Sequence, residues 1–313
     1  MHRPAGLLGI EELNRAEVEA FLERARAFQP LQGQSFKKLD SLRGKLVVNL
    51  FLEASTRTRT SFEIAAKRLG ADTVSISGTG SSLSKGESLV DTLNTLAAMR
   101  PDAIVMRHAA SGAPHFLARH LAIPIINAGD GTHEHPTQAL LDALTILDRR
   151  PALEGLRVAI IGDIAHSRVA RSNVHLLSKF GVDIVLCGPA TVLPAELAQI
   201  APGVTLTSDI RQAIEGSDVI MMLRVQFERQ HDAPLSAGEY FQFYGLRLEH
   251  LALAKPDAIV MHPGPINRGR ELASEVADFQ RSVILNQVEN GVAVRMAVLE
   301  RIVGEHVNAG VAH

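Results

Sequence analysis

The chain has 313 residues, 46% of them hydrophobic, with 32 Lys and Arg against 34 Asp and Glu. That length supplies about two domains, each able to bury its own core without a disulfide or metal staple, and the balanced charge excludes the broad positive field of a nucleic-acid or membrane-surface binder. No apolar run approaches the ~20 residues of a membrane span, and MHRPAGLLGI lacks the long apolar core of a secretory signal.

In chain order, β-branched apolar runs alternate with helical periodicity. Strands are predicted at 45–51, 73–76, 103–106 and 124–126, then at 157–161, 183–186, 203–206, 218–223 and 258–261, with helices between them at 61–69, 89–99, 137–147 and 169–180. Strands that read as continuous apolar runs are those of a parallel sheet covered by helices on both faces. The fold expected is therefore α/β, with two domains, each a parallel sheet flanked by helices. Charge, proline and glycine break the pattern at Asp148-Arg149-Arg150-Pro151-Ala152-Leu153-Glu154-Gly155. The boundary is expected there, giving domains 1–150 and 151–285, with a last helix at about 286–313 packing back on the first. The single cysteine, Cys187, lies in an apolar run and reads as a buried small hydrophobe, as suits a reducing, cytoplasmic compartment.

The chemistry-bearing residues gather after strands, where helix N-termini in such sheets present free N–H groups to ligands. After 45–51 come Ser55, Thr56, Arg57, Thr58 and Arg59, either a phosphate cradle or a capped helix with solvent-facing arginines. After 103–106 come Arg107 and His108, and after 124–126 the run Thr132-His133-Glu134-His135-Pro136-Thr137-Gln138. His133 and His135 share a face in extended chain, but no third ligand lies nearby in sequence, so no metal is expected. His135 and Gln138 read instead as donors for a carbonyl-containing ligand. In the second half Gly162 stands alone without a G-x-G-x-x-G pattern, which argues against a dinucleotide. Arg168, then Arg224 and Gln226, then His262-Pro263-Gly264-Pro265 again follow strands, and two arginines suit a dicarboxylate. The Ser/Gly-rich segment 77–87 reads as the one long flexible loop of the first half, and within it 82–87 is either a surface loop or an anion-closing lid.

Taken together, Phe51-Leu52-Glu53-Ala54-Ser55-Thr56-Arg57-Thr58-Arg59, Ser82 with Lys85-Gly86-Glu87, Met106-Arg107-His108, His135-Pro136-Thr137-Gln138, Arg224-Val225-Gln226 and His262-Pro263-Gly264-Pro265 resemble the catalytic chains of the aspartate carbamoyltransferases over nearly the whole sequence. The first and fourth motifs are common to all transcarbamoylases. The aspartate-side motifs stand where ornithine enzymes are expected to carry His-Cys-Leu-Pro and Asp…Ser-Met-Gly.

The resemblance implies carbamoyl transfer to the amino group of L-aspartate, giving N-carbamoyl-L-aspartate and phosphate for pyrimidine synthesis. Ser55, Thr56, Arg57, Thr58 and Arg107 would hold the phosphate, and Thr58, Arg107 and His135 would face the carbamoyl oxygen. Gln138 and the carbonyls of Gly264 and Pro265 would hold the carbamoyl NH₂. Arg168, Arg224 and Gln226 would grip the aspartate carboxylates. Ser82 and Lys85 would enter the adjacent subunit's site, which implies a homotrimer with shared active sites. Glu53 and Arg229 would belong to interdomain salt bridges. No cofactor or metal is implied, and regulatory chains or a dihydroorotase are possible further partners. Relatives often have leucine at Gly264, where glycine adds backbone freedom. The rival readings are a transcarbamoylase for ornithine or another amine, and a catalytically silent assembly subunit.

Overall fold

The computed structural model describes residues 6–30, 35–36, 38–78, 89–225 and 235–310. The chain divides into two compact units: residues up to Leu140 with those from Asn290 onward, and Leu141–Glu289.

The first unit contains β1 (Gly6–Leu7), α1 (Arg15–Phe28), β2 (Leu46–Phe51), α2 (Thr56–Arg68), β3 (Asp72–Ser77), α3 (Leu89–Ala98), β4 (Ala103–His108), α4 (Ala113–Ala118), β5 (Ile125–Asp130) and the start of α5 (Pro136–Leu147). The five strands form one parallel sheet in the order β1-β5-β4-β2-β3. Val48, Leu50, Ile104, Met106 and Ile125 of the sheet pack with Leu93 and Leu96 of α3 and Leu117 of α4 in one buried cluster. Helix α1 opens on a capping box in which the Asn14 side chain accepts from Glu17 N–H and Glu17 accepts from Asn14 N–H.

The second unit contains β6 (Arg157–Ile161), α6 (Arg168–Ser178), β7 (Asp183–Cys187), β8 (Val204–Thr207), α7 (Ile210–Ile214), β9 (Val219–Met222), α8 (Ala237–Tyr244), α9 (Leu248–Leu251), β10 (Ile259–Met261) and α10 (Ser274–Ala277). Its parallel sheet has the order β10-β9-β6-β7-β8. All four residues of β9, Val219, Ile220, Met221 and Met222, are fully buried, as the covered-sheet reading requires. Helix α11 (Ile284–Gly310) closes the chain. Within the first unit its later turns bond back to α1 and α2, through Arg24 to Glu300 at 2.5 and 2.9 Å and Arg295 Nη1 to Ser61 Oγ at 2.8 Å.

Both sheets have a point at which chain direction across the sheet reverses. In the first, β2 connects outward to β3 and β4 connects the other way to β5, so a crevice opens beyond the carboxyl ends of β2 and β4. In the second the corresponding pair is β6 and β9. Open parallel sheets bind ligands at such points.

Several boundaries differ from those expected of the sequence. Helix α2 begins five residues earlier than its apolar periodicity indicated, at Thr56 instead of residue 61, so the polar run 56–59 is its first turn. Strands β4 and β5 continue through polar residues to His108 and Asp130; in β5, Asn127 is buried and satisfied by Leu8 O at 2.8 Å and Asp130 Oδ1 at 2.8 Å.

Candidate functional site

Ser55 stands at the N-cap of α2 with extended backbone, and its hydroxyl makes no capping bond. No acidic residue occupies the first turn. The helix start therefore presents its positive end without an acidic residue or a side-chain cap, with Thr56 and Arg57 exposed and Thr58 buried beside them.

Arg107 lies within β4, directly across from Phe51, the last residue of β2. Its guanidinium donates to Glu53 Oε1 at 3.0 Å and to Ala128 O at 3.2 Å, and both charged side chains are only 11% exposed. Glu53 thus pairs with Arg107 inside its own unit. It follows β2 closely, but no local sequence pattern announced the partnership.

Next along the sheet, β5 leads to the turn that delivers His135 and Gln138, both buried, at the start of α5. Two acids hold this turn. Asp130 is fully buried and accepts from Asn127 Nδ2, from Gly112 N at 2.6 Å and from Glu134 N at 3.1 Å. Burial works against its ionisation, but hydrogen bonds from His133, Asn127 and the Gly112 N–H outweigh this and hold its carboxyl below the usual range. Glu134, 1% exposed, accepts from the backbone N–H groups of Ile10 at 2.9 Å and Glu11 at 3.1 Å. Neither acid was singled out from the sequence, although the run Asp130-Gly131-Thr132-His133-Glu134-His135 carries the turn signal. Three neighbouring strands, β2, β4 and β5, so bring Ser55 to Thr58, Arg107, and His135 with Gln138 to the carboxyl edge of one sheet.

In the second unit, Gly162 follows β6 with φ +150°, and a Cβ there would lie 2.7 Å from Leu223 Cβ. Only glycine lets the ends of β6 and β9 approach this closely. Beyond them stand Arg168, buried at the first position of α6 with Ser167 as N-cap, and Arg224, half-buried after β9. Beside β9, β10 ends at His262-Pro263-Gly264-Pro265. His262 Nδ1 accepts from Gly264 N at 2.8 Å, so Nε2 carries the proton and donates to Glu271 Oε1 at 3.2 Å. Gln287 Oε1 accepts from His262 N at 2.9 Å, and its Nε2 donates to buried Asp142, which also receives Asn173. Gly264 adopts φ +69°, where a leucine would be strained, and the peptide to Pro265 is cis. Ser82, Lys85, Gln226 and Arg229 lie outside the described residues.

Each unit gathers basic and hydrogen-bonding groups at the carboxyl edge of a parallel sheet, the arrangement of two-domain α/β enzymes that act on small molecules. Residues 6–148 match the family model for the aspartate/ornithine carbamoyltransferase carbamoyl-P binding domain, and residues 154–302 match that for the Asp/Orn binding domain. The chain belongs to the aspartate/ornithine carbamoyltransferase family. It is 81% identical, over 96% of its length and 100% of the relative's, to the aspartate carbamoyltransferase catalytic subunit of Solibacter usitatus. Aspartate transcarbamoylase from Trypanosoma cruzi, solved with carbamoyl aspartate and phosphate, superposes with a TM-score of 0.83 at 32% identity, covering 95% of each chain. Ornithine carbamoyltransferase from Pyrococcus furiosus superposes with a TM-score of 0.84 at 30% identity, covering 95% of this chain and 96% of that one.

Proposed function

We propose that this chain is an aspartate carbamoyltransferase: it transfers the carbamoyl group of carbamoyl phosphate to the amino group of L-aspartate, releasing N-carbamoyl-L-aspartate and phosphate, the committed step toward pyrimidine nucleotides. The observation that carries this reading is the uncapped, acid-free start of α2 beside Arg107 at the reversal point of the first sheet. The choice of aspartate rests on the 81% identical relative and its name.

In this reading Ser55, Thr56, Arg57, Thr58 and Arg107 hold the phosphate, each charge-assisted bond contributing about 1.5–3 kcal/mol. As the aspartate nitrogen attacks, negative charge grows on the carbamoyl oxygen, and Thr58, Arg107 and His135 stabilise it. Gln138 and the carbonyls of Gly264 and Pro265 hold the carbamoyl NH₂. Arg168, Arg224 and Gln226 take the aspartate carboxylates, so the first unit is the carbamoyl-phosphate domain and the second the aspartate domain. Carbamoyl phosphate is already activated, and the residues supply proximity and electrostatic stabilisation. Ser82 and Lys85 complete the site of a neighbouring subunit in a cytoplasmic homotrimer, to which regulatory chains or a dihydroorotase can attach.

The test is phosphate release from carbamoyl phosphate with L-aspartate, L-ornithine or no amino acid. Turnover dependent on aspartate supports the reading. Turnover dependent on ornithine overturns the roles of Arg168, Arg224 and Gln226, and no turnover with any amine makes the chain a subunit that needs a partner. For the shared site, an inactive Lys85→Ala chain is mixed with an inactive Arg57→Ala chain. Hybrids that assemble but recover no activity refute it.

A further inference from the structure

The sequence set His133 beside His135, whereas the fold sets it beside Asp130 and His115 of α4. His115, on that helix, lies edge-on to His133, with ring centroids 5.2 Å apart. His115, Asp130 and His133 each present a ligand atom, and these atoms lie within 4.8 Å of one another. We propose that His115, Asp130 and His133 form a binding site for one zinc-class divalent ion, outside the transfer chemistry.

The tautomer of His115 favours this. Its Nε2 is bonded to Glu12 Oε1 at 2.8 Å, which makes Nε2 the protonated nitrogen and leaves the lone pair on Nδ1. Nδ1 is buried and has no hydrogen-bond partner, a costly condition that an ion relieves. A carboxylate on the far nitrogen is the arrangement that orients metal-bound histidines and raises their basicity. His133 Nδ1 meets Asp130 Oδ2 at 3.1 Å, where an ion replaces the bridging proton. Asp130 is fully buried and held in place by Asn127, Gly112 N–H and Glu134 N–H, which preorients its carboxylate as a ligand. Two imidazoles and one carboxylate suit zinc or cobalt over calcium or magnesium, and leave a fourth position for water. Because Asp130 and His133 belong to the turn before His135, an ion here stiffens the approach to that residue.

The full chain, stripped with a chelator and dialysed, is titrated with Co²⁺ while visible absorption is followed, and Zn²⁺ is then added in competition. One Co²⁺ per chain is expected, displaced by Zn²⁺. The absorption band is lost in His115→Ala and in His133→Gln and kept in His120→Ala, an exposed histidine outside the cluster. Glu12→Gln, a change at the partly exposed carboxylate, keeps the band and weakens binding about 10-fold. Far-UV circular dichroism establishes that each variant is folded. No band in the parent chain, or a band that persists in both cluster variants, overturns the site.

Discussion

Replacing Glu134 by alanine is the sharpest test of how this site is held. The side chain is 1% exposed and accepts the backbone N–H groups of Ile10 and Glu11, at 2.9 and 3.1 Å. Truncation leaves both donors without their acceptor, at about 1–3 kcal/mol each, or about 2–6 kcal/mol together. For a domain of 150–250 residues each kcal/mol moves Tm by about 2–4 °C, so Tm falls by at least about 4 °C. Glu134→Gln keeps one acceptor oxygen in place and recovers part of the loss. The turn also delivers His135, so kcat falls in Glu134→Ala beyond any change in aspartate KM. Thermal melts and steady-state kinetics on parent, Ala and Gln variants decide the matter. A Tm drop under about 2 °C in Glu134→Ala, below the smallest loss the two donors allow, refutes the assignment.

Arg57→Ala is expected to weaken inhibition by phosphate and lower kcat/KM by at least about 10²-fold, read in the phosphate-release assay. Gly162→Ala forces a Cβ to 2.7 Å from Leu223 Cβ at φ +150°. It is expected to cost about 1–3 kcal/mol, measured by urea denaturation. His250 is buried; burial lowers its pKa, and the Glu249 charge offsets this only in part. Its folded pKa lies below its unfolded value, so its stabilising contribution is complete above about pH 6.5 and is lost as pH falls toward the folded pKa. His250→Gln is therefore expected to lose less stability than the parent between pH 7 and 5.5, in urea midpoints taken across that range.

The α/β class was legible because strands buried on both faces have no choice but to be apolar, as Val219-Ile220-Met221-Met222 shows. What escaped was whatever depends on a distant partner. The two-residue β1 has no pattern of its own and exists because Gly6 and Leu7 pair with Ile125 and Ile126. The polar end of β5 looked like loop until Asn127 found Leu8 O. Ser55, Arg107 and His135 were legible as candidates because each follows an apolar run. Glu134 and Glu271 were not, because their partners are Ile10 with Glu11, and His262, and a carboxylate alone in sequence reads as surface; Glu53 was expected in an interdomain salt bridge, and its described partner is Arg107 of its own unit.

A carboxylate beside the proposed phosphate socket looks counterproductive, and Glu53 is such a carboxylate, 11% exposed and 3.0 Å from Arg107. Its charge subtracts from the field that draws in a dianion. A guanidinium, however, has five donors in a rigid fork, and Glu53 Oε1 and Ala128 O engage its two terminal nitrogens. With the fork fixed on a strand, its orientation is set before any ligand arrives, and no reorganisation is needed as charge moves onto the carbamoyl oxygen. Lost attraction in the ground state lowers affinity alone, whereas lost orientation would raise the barrier itself. In this reading Glu53 acts on the rate by fixing the direction of Arg107, at some cost in phosphate affinity.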